Sequence, residues 1–276
     1  MSGVPDDIAN PGSALGEAIG NLMESAIHEL LRPVAEENGC IYISTGPLDA
    51  RTQKRRKLLL TDSDGNSYEL DAVIINRRFQ PLVLFESKYI RYKKHNRDKA
   101  SWICTAHTRL RQRYTTVRKS IAVLMGSWSQ PSKRLLRSFE VELFEIPFQA
   151  ISQVLLRHGI DFTWGEKDRQ KASAGWRRYS ALTSQQKTAM ASELLSGIAD
   201  DLQEALATAL DESVPRHVVA VAVVIRSSLG ETFTYRFADL RQALEFMREF
   251  DEGRDMDTEG AEDLLDKLGD GPSPSS

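Results

Sequence analysis

Hydrophobic residues near the start of the chain recur at helical spacing. From Leu15 to Val34 they are separated by steps of three or four residues, which places them on one face of an amphipathic helix over residues 15–37. Pro33 lies inside this stretch and predicts a kink or an early end of the helix. Residues 1–13 are polar and contain Pro and Gly, so we expect them to be disordered.

The following segment alternates between short apolar runs and helical patterns. The turn residues Asp62-Ser-Asp-Gly-Asn66 between two of these runs predict a hairpin. The alternation as a whole predicts an α/β fold, with a mixed central sheet flanked by helices. Strand patterns cover residues 41–44, 58–61, 68–76, 81–89, 121–125 and 141–146, and helical patterns cover 98–119, 132–138 and 147–157.

The last third of the chain predicts a second unit. Residues 161–182 are polar with scattered Trp and Arg, and we expect a linker or a covering loop. Thr183-Ser-Gln-Gln186 is a capping-box pattern that begins a helix, and two strand patterns and a helix follow. Residues 183–250 should therefore form a small C-terminal α-β-β-α module, and the acidic residues 251–276 should be disordered.

Composition and charge narrow the class of protein. The chain is 41% hydrophobic and 27% charged, which is typical of globular proteins. It contains no apolar run near the roughly 20 residues that span a bilayer, and its first residues do not resemble a signal peptide. Only two cysteines are present, without a Cys-x-x-Cys pair. We therefore expect a cytoplasmic protein with no membrane partner.

The net charge of −3 conceals two segments of opposite sign. Between Lys88 and Lys119 there are eleven Lys or Arg against one acid, Asp98, a net charge of +10. From Asp239 to Ser276 there are twelve acids against four Lys or Arg, a net charge of −8. A local field of this size indicates a polyanionic partner for the basic segment.

Strand alternation brings three chemically distinctive side chains together. Glu86 and Lys88 are two residues apart and project from the same face of one strand pattern. Asp71 lies in the preceding strand, on the face of Val73 and Ile75. Carboxylates among apolar residues carry a desolvation cost unless they are paired. A divalent cation would pair with both, although an ion pair at a strand end is the simpler alternative for Glu86 and Lys88.

The residue types suit magnesium. Mg²⁺ takes oxygen ligands, usually one or two carboxylates with water and substrate phosphate. We expect Asp71 and Glu86 to supply the carboxylates and the backbone carbonyl of Ser87 to be a third ligand, with Mn²⁺ able to substitute. Lys88 would orient or deprotonate the attacking water, or stabilise charge that grows on the phosphate.

Asp71, fourteen further residues and then Glu86-Ser-Lys88 resemble the bipartite motif of the PD-(D/E)xK nuclease superfamily. The order of elements over residues 14–160 is similar to its restriction-endonuclease-like core, although Glu69-Leu70 stands where the motif has a Pro before the Asp. The resemblance implies a magnesium-dependent endonuclease of the restriction, defence or repair type that hydrolyses DNA phosphodiester bonds. It also implies an acidic catalytic residue on the first helix, at Glu24 or, as a second candidate, Glu17.

The basic segment then predicts the surface that binds nucleic acid, because phosphate neutralisation dominates such affinity. Arg51–Lys57 is a second candidate contact, Trp102 is expected to pack, and a solvated basic helix is the alternative. His107 and Arg111 are one helical turn apart and could face the scissile phosphate. The predicted contacts are Arg91, Lys93, Lys94, Arg97, Lys99, His107, Arg109, Arg111 and Arg113.

Three functions are consistent with these patterns. The first is an endonuclease for double-stranded DNA, for which cutting both strands favours a homodimer formed through residues 183–250. The second is a non-catalytic nucleic-acid-binding subunit on the same fold, which would keep the basic segment but cleave nothing. The third is a nuclease directed at RNA.

Overall fold

A computed structural model describes residues 9–49, 56–92, 96–165 and 168–256. Its first helix, α1 (Pro11–Glu37), begins at the cap Asn10, whose side chain accepts a hydrogen bond from the backbone of Ser13. The predicted helix is confirmed, but it starts inside the stretch expected to be disordered because Asn10 and Pro11 supply an N-cap and a first-turn proline. Pro33 does not end the helix. It lies on the exposed face, where water can hydrate the carbonyl that lacks its helical donor.

Five strands form a mixed central sheet in the order β1-β4-β5-β6-β7. The pairs β1/β4 and β4/β5 are antiparallel, whereas β5/β6 and β6/β7 are parallel. The strands β2 and β3 form a separate antiparallel hairpin. Their bounds are β1 (Ile41–Ile43), β2 (Leu58–Thr61), β3 (Ser67–Leu70), β4 (Ala72–Ile75), β5 (Pro81–Ile90), β6 (Lys119–Gly126) and β7 (Val141–Pro147).

Helices cover both faces of the sheet. The face that carries Phe85 and Val123 packs into one large core with α1 and with α4 to α7. The opposite face, which carries Leu124, packs against α2 and α3. The prediction of an α/β fold with a mixed sheet flanked by helices is therefore confirmed. The helices are α2 (Asn96–Arg113), α3 (Gln130–Ser138), α4 (Phe148–Arg157), α5 (Arg169–Ser180), α6 (Ser184–Leu195) and α7 (Ala199–Leu210).

The division into units differs from the one that the sequence predicts. The first compact unit extends to Asp211, because α5, α6 and α7 all pack against α1. The segment expected to be a linker holds buried Phe162 and Trp164, followed by α5. The capping box at Thr183 is present, but it begins a helix of the first unit. A capping box marks a helix start and carries no information about which core the helix joins.

The second unit begins at Glu212 and is described to residue 256. It contains an antiparallel hairpin of β8 (Val221–Arg226) and β9 (Thr232–Phe237), followed by α8 (Leu240–Glu249) and the short α9 (Glu252–Asp255). Gly230 occupies the turn with φ +90°, and the side chain of Asp239 caps α8. Across the ranges that the structure describes, no helix has the length and apolarity needed to cross a membrane.

Two truncations test where the first unit ends. A chain that ends at Asp211 should unfold cooperatively on heating, since its core is complete. A chain that ends at Leu182 loses the buried side chains of Met190, Leu194, Leu202 and Leu206. At about 1.5–3 kcal/mol for each side chain, that loss is comparable to the whole stability of a domain. Circular dichroism on heating measures both, and equal unfolding midpoints would contradict this boundary.

Candidate active site

Asp71 interrupts the strand that the sequence predicts over residues 68–76. It occupies a bend between β3 and β4, and the ladder between β4 and β5 ends at the pair Ala72–Phe85. Beyond that pair, the Asp71 carboxylate accepts a hydrogen bond from the backbone N–H of Ser87 at 2.7 Å and from its hydroxyl at 3.3 Å. A side chain thus replaces the strand's own carbonyl as acceptor, and this holds Asp71 against β5.

Lys88 joins the two predicted carboxylates. Its Nζ lies 3.0 and 2.8 Å from the two carboxylate oxygens of Asp71. The same Nζ lies 2.5 Å from Oε2 of Glu86. The structure therefore brings together the three side chains that the sequence singles out, with one ammonium group bridging two carboxylates.

Glu86 is the most deeply buried member of this set, with 1% of its surface exposed. Neither carboxylate oxygen accepts a hydrogen bond of normal geometry, so the close approach of Lys88 is an ion-pair contact. Burial and, secondarily, the Asp71 carboxylate raise the pKa of Glu86 to about 8, against the opposing attraction of Lys88. A cation next to Glu86 would favour its ionised form and so oppose this increase of its pKa.

The other two members remain charged. Burial opposes the ammonium form of Lys88, but Glu86 and Asp71 outweigh it and raise the pKa of Lys88. Burial likewise opposes the ionised form of Asp71, yet the charge of Lys88 and the hydrogen bonds to Asp71 lower its pKa. Lys88 and Asp71 therefore form a charged pair near neutral pH.

The donor set fits magnesium better than a metal that needs an all-protein cage. Among the residues that the structure describes, no three His, Cys, Asp or Glu side chains are grouped to hold a metal ion. Asp71 and Glu86 provide two carboxylates, which is the usual protein contribution to a magnesium site. The buried oxygens of Glu86, which lack hydrogen bonds, are the observation that fits a cation there.

Two clefts meet at Lys88. The first, of about 650 Å³, lies between the N-terminal half of α1 and the end of β5, and Glu24, Ser87 and Tyr89 line it. The second, of about 460 Å³, is lined by Glu69, Asp71, Lys88, Asp98, Lys99 and Trp102. Lys88 lines both clefts, so its ammonium can be approached from either side.

Glu24 lies in the first cleft with Ser87 and Lys88, as does the second candidate, the exposed Glu17. The Glu24 side chain is 41% exposed, and its Oε1 lies 3.7 Å from Nε2 of His28. His28 in turn shares a 2.7 Å hydrogen bond with the hydroxyl of buried Tyr42. Helical spacing could have identified the Glu24–His28 pair, whereas the contact with Tyr42 depends on how α1 packs against β1.

Arg91 is one of the predicted nucleic-acid contacts, but its side chain packs within the protein. Its guanidinium lies 3.4 Å from the ring centroid of Trp164 and 4.0 Å from that of Phe162. It also donates hydrogen bonds to the backbone carbonyls of both residues. Through these contacts, Arg91 connects Phe162 and Trp164, which precede α5, to the end of β5.

Three more of the predicted contacts hold partners within the protein. Long arginine side chains reach groups far away in sequence, so a count of charges along a helix does not show which cations remain available. Arg109 pairs with Asp62 and Asp64, Arg111 pairs with Glu140, and Arg113 donates to the carbonyls of Thr61 and Asp62.

The remaining basic positions fall into two groups. Arg97 and Lys99 are exposed on α2, and Lys99 lines the second cleft. Lys93 and Lys94 lie outside the described residues, as does most of the basic stretch 51–57. At the end of that stretch, Lys57 pairs with Glu69 at 2.7 Å.

His107 is buried, so the prediction that it faces the scissile phosphate directly is wrong. Only 1% of it is exposed, and neither ring nitrogen has a hydrogen-bond partner among the residues that the structure describes. Burial and then the charges of Lys88 and Arg111 lower the pKa of His107 to about 3. Cys104, Ala106 and Leu110 around it are buried as well, which indicates that His107 lies on the side of α2 that faces the sheet.

Family models, curated proteins and solved structures contain no match to this chain. The defining feature of the site is the contact of Lys88 with buried Glu86 and partly buried Asp71, beside two clefts that Lys88 lines.

His107 generates a test by pH. In the folded protein the imidazole of His107 is neutral, whereas in the unfolded chain it takes up a proton below about pH 6.5. Stability is therefore lost as pH falls from about 6.5 toward 3. Between pH 7 and pH 5 the free energy of unfolding should fall by about 1–2 kcal/mol more in the parent than in His107→Leu.

Urea unfolding at each pH measures this difference, and only the change with pH is compared, which removes any packing effect of the substitution. His217→Leu, at an exposed position, is the control for removal of a histidine. Parallel pH profiles for the parent and His107→Leu would contradict the assignment of a buried neutral imidazole.

Proposed function

We propose that the chain is a magnesium-dependent endonuclease that hydrolyses DNA phosphodiester bonds. One observation carries the proposal: Asp71, Glu86 and Lys88 converge at the ends of neighbouring strands, with Nζ within 3.0 Å of both carboxylates. Two carboxylates suited to a divalent cation and one lysine suited to phosphate are the groups that such hydrolysis requires.

The fold around the site supports the same proposal. A helix, α1, precedes the antiparallel pair β4/β5, and the parallel strands β6 and β7 follow α2 and α3. This order is similar to the restriction-endonuclease-like core that the motif implies. The acidic Glu24 on α1 lines a cleft together with Lys88, as that resemblance leads one to expect.

The chemistry divides among the residues as follows. When bound, the divalent cation supplies Lewis-acid polarisation of a phosphoryl oxygen and favours ionisation of water. Asp71 and Glu86 would hold it, and the hydrogen bonds from Ser87 fix the orientation of Asp71. The raised pKa of Lys88 favours its ammonium form. It therefore suits stabilisation of negative charge on the phosphate better than abstraction of a proton.

One observation favours a second candidate, a non-catalytic nucleic-acid-binding subunit. Lys88 already pairs with Asp71 and contacts Glu86, so the three side chains can be stable as an internal network without any metal. The two candidates differ in a single outcome, which is cleavage in the presence of Mg²⁺ or Mn²⁺.

Nuclease assays on supercoiled plasmid, single-stranded DNA and RNA test the proposal. The parent protein should cleave DNA with Mg²⁺ or Mn²⁺, and Lys88→Ala and Glu86→Gln should each lower the rate by about 100-fold or more. Lys171→Ala changes an exposed lysine of α5 and is the matched control. Undiminished cleavage by Lys88→Ala would contradict the assignment of this site. Cleavage of RNA alone would show that the substrate is RNA and not DNA.

Metal binding has a readout that is independent of activity. Mg²⁺ at ten times its dissociation constant stabilises the folded state by about 1.4 kcal/mol, which raises the unfolding midpoint by a few degrees. Asp71→Asn and Glu86→Gln should lose this increase, measured by thermal unfolding with KCl at matched ionic strength as the blank. An increase of the same size in Glu86→Gln would show that the cation binds elsewhere.

A further inference from the structure

Trp102 is exposed at the mouth of the second cleft, although the sequence predicts that it packs. Its surface is 46% exposed, and it lines the cleft with Asp71, Lys88 and Lys99. Tyr68 lies behind it, with the ring centroids 5.7 Å apart. Tyr68 itself is buried and donates a hydrogen bond to Asp62. The indole is therefore held in place by a fixed neighbour while much of it faces solvent.

The first cleft has an exposed ring of its own. Tyr92 is 37% exposed and lines this cleft. The guanidinium of Arg91 lies 5.2 Å from its ring centroid, and Arg91 is fastened in turn to Trp164. Lys88 lines both clefts, and each cleft also contains one exposed aromatic side chain.

Among the residues that the structure describes, few cations line the two clefts. Double-stranded DNA is bound chiefly through many cations that neutralise phosphates on two strands. Among the described residues, the cations that line the two clefts are Lys88, Arg91 and Lys99. The arginines farther along α2 hold partners within the protein. Single-strand binding combines a positively charged groove with aromatic faces on which unpaired bases stack, and Lys88 and Lys99 beside the exposed rings of Trp102 and Tyr92 provide both.

We propose that the substrate presents unpaired nucleotides to this site, so that one base stacks on Trp102 and another on Tyr92, on either side of the phosphate at Lys88. This inference rests on the proposed nuclease function and replaces the double-stranded DNA expected from the sequence with a single DNA strand. In a duplex both faces of a base are already stacked, so neither ring could be used without unpairing.

Binding in EDTA tests this without cleavage. Fluorescence anisotropy compares a labelled 20-nucleotide strand with the duplex of the same sequence, on the full chain. The single strand should bind at least tenfold more tightly. Trp102→Leu should weaken its binding about tenfold, within the range for loss of one stacked base. Trp102→Phe, which keeps an aromatic face, should retain most of the affinity.

The matched control is Phe139→Leu, which removes an exposed aromatic ring that lines neither cleft. Thermal unfolding confirms that each variant is folded, and Tyr92→Leu provides the same test at the other ring. Equal affinity for strand and duplex would overturn the inference, as would equal losses in Trp102→Leu and Phe139→Leu.

The two proposals fail in different ways. If single-strand binding depends on Trp102 but the protein does not cleave DNA with Mg²⁺ or Mn²⁺, the result supports the stacking site and contradicts the nuclease. If the protein cleaves plasmid in a metal-dependent reaction but its binding does not depend on Trp102, the result supports the nuclease and overturns the stacking site.

Discussion

The ammonium of Lys88 lies against the carboxyl groups of Asp71 and Glu86, both of which the fold withdraws from water, and the geometry around the site follows from these contacts. An unpaired ion in such a place would carry several kcal/mol of desolvation cost. Glu86 is almost fully buried in β5, and its oxygens have no hydrogen bond to offset that cost. Lys88 can serve Glu86 and Asp71 together only because Asp71 leaves the strand ladder and turns toward β5. The break between β3 and β4 is the backbone consequence of this ion-pair network.

The position of the network in the sheet makes it accessible. Before Glu86, β5 runs antiparallel to β4, and its central part is buried by helices on both faces. Past the end of β4, its last residues pair only with β6, so space opens on either side of Lys88. A site built where a neighbouring strand ends can thus combine a buried carboxylate with an ammonium that solvent and a ligand can reach.

Local patterns predicted those features that depend on local geometry. Strand periodicity placed Glu86 and Lys88 on one face, and helical periodicity found α1, because both depend on residues a few positions apart. The partners of Arg91 and Arg109 depend on packing between segments that are distant in the sequence, and the number of charges in a segment does not reveal such contacts. The same limitation applies to Trp102 and to the end of the first unit at Asp211, since burial is decided by elements far away in the chain.

Within the proposed function, Lys88 has to play two roles in succession. While it bridges Asp71 and Glu86, part of its charge is balanced by these groups, and its partly exposed side chain still lines both clefts. A divalent cation and an ammonium cannot share the same two carboxylates at about 3 Å without strong repulsion. If Asp71 and Glu86 held a divalent cation, that repulsion would weaken the contacts of Lys88 with them, and its ammonium would be available for negative charge on a substrate in the clefts. The contacts of Lys88 with Asp71 and Glu86 would then be the metal-free state of the site.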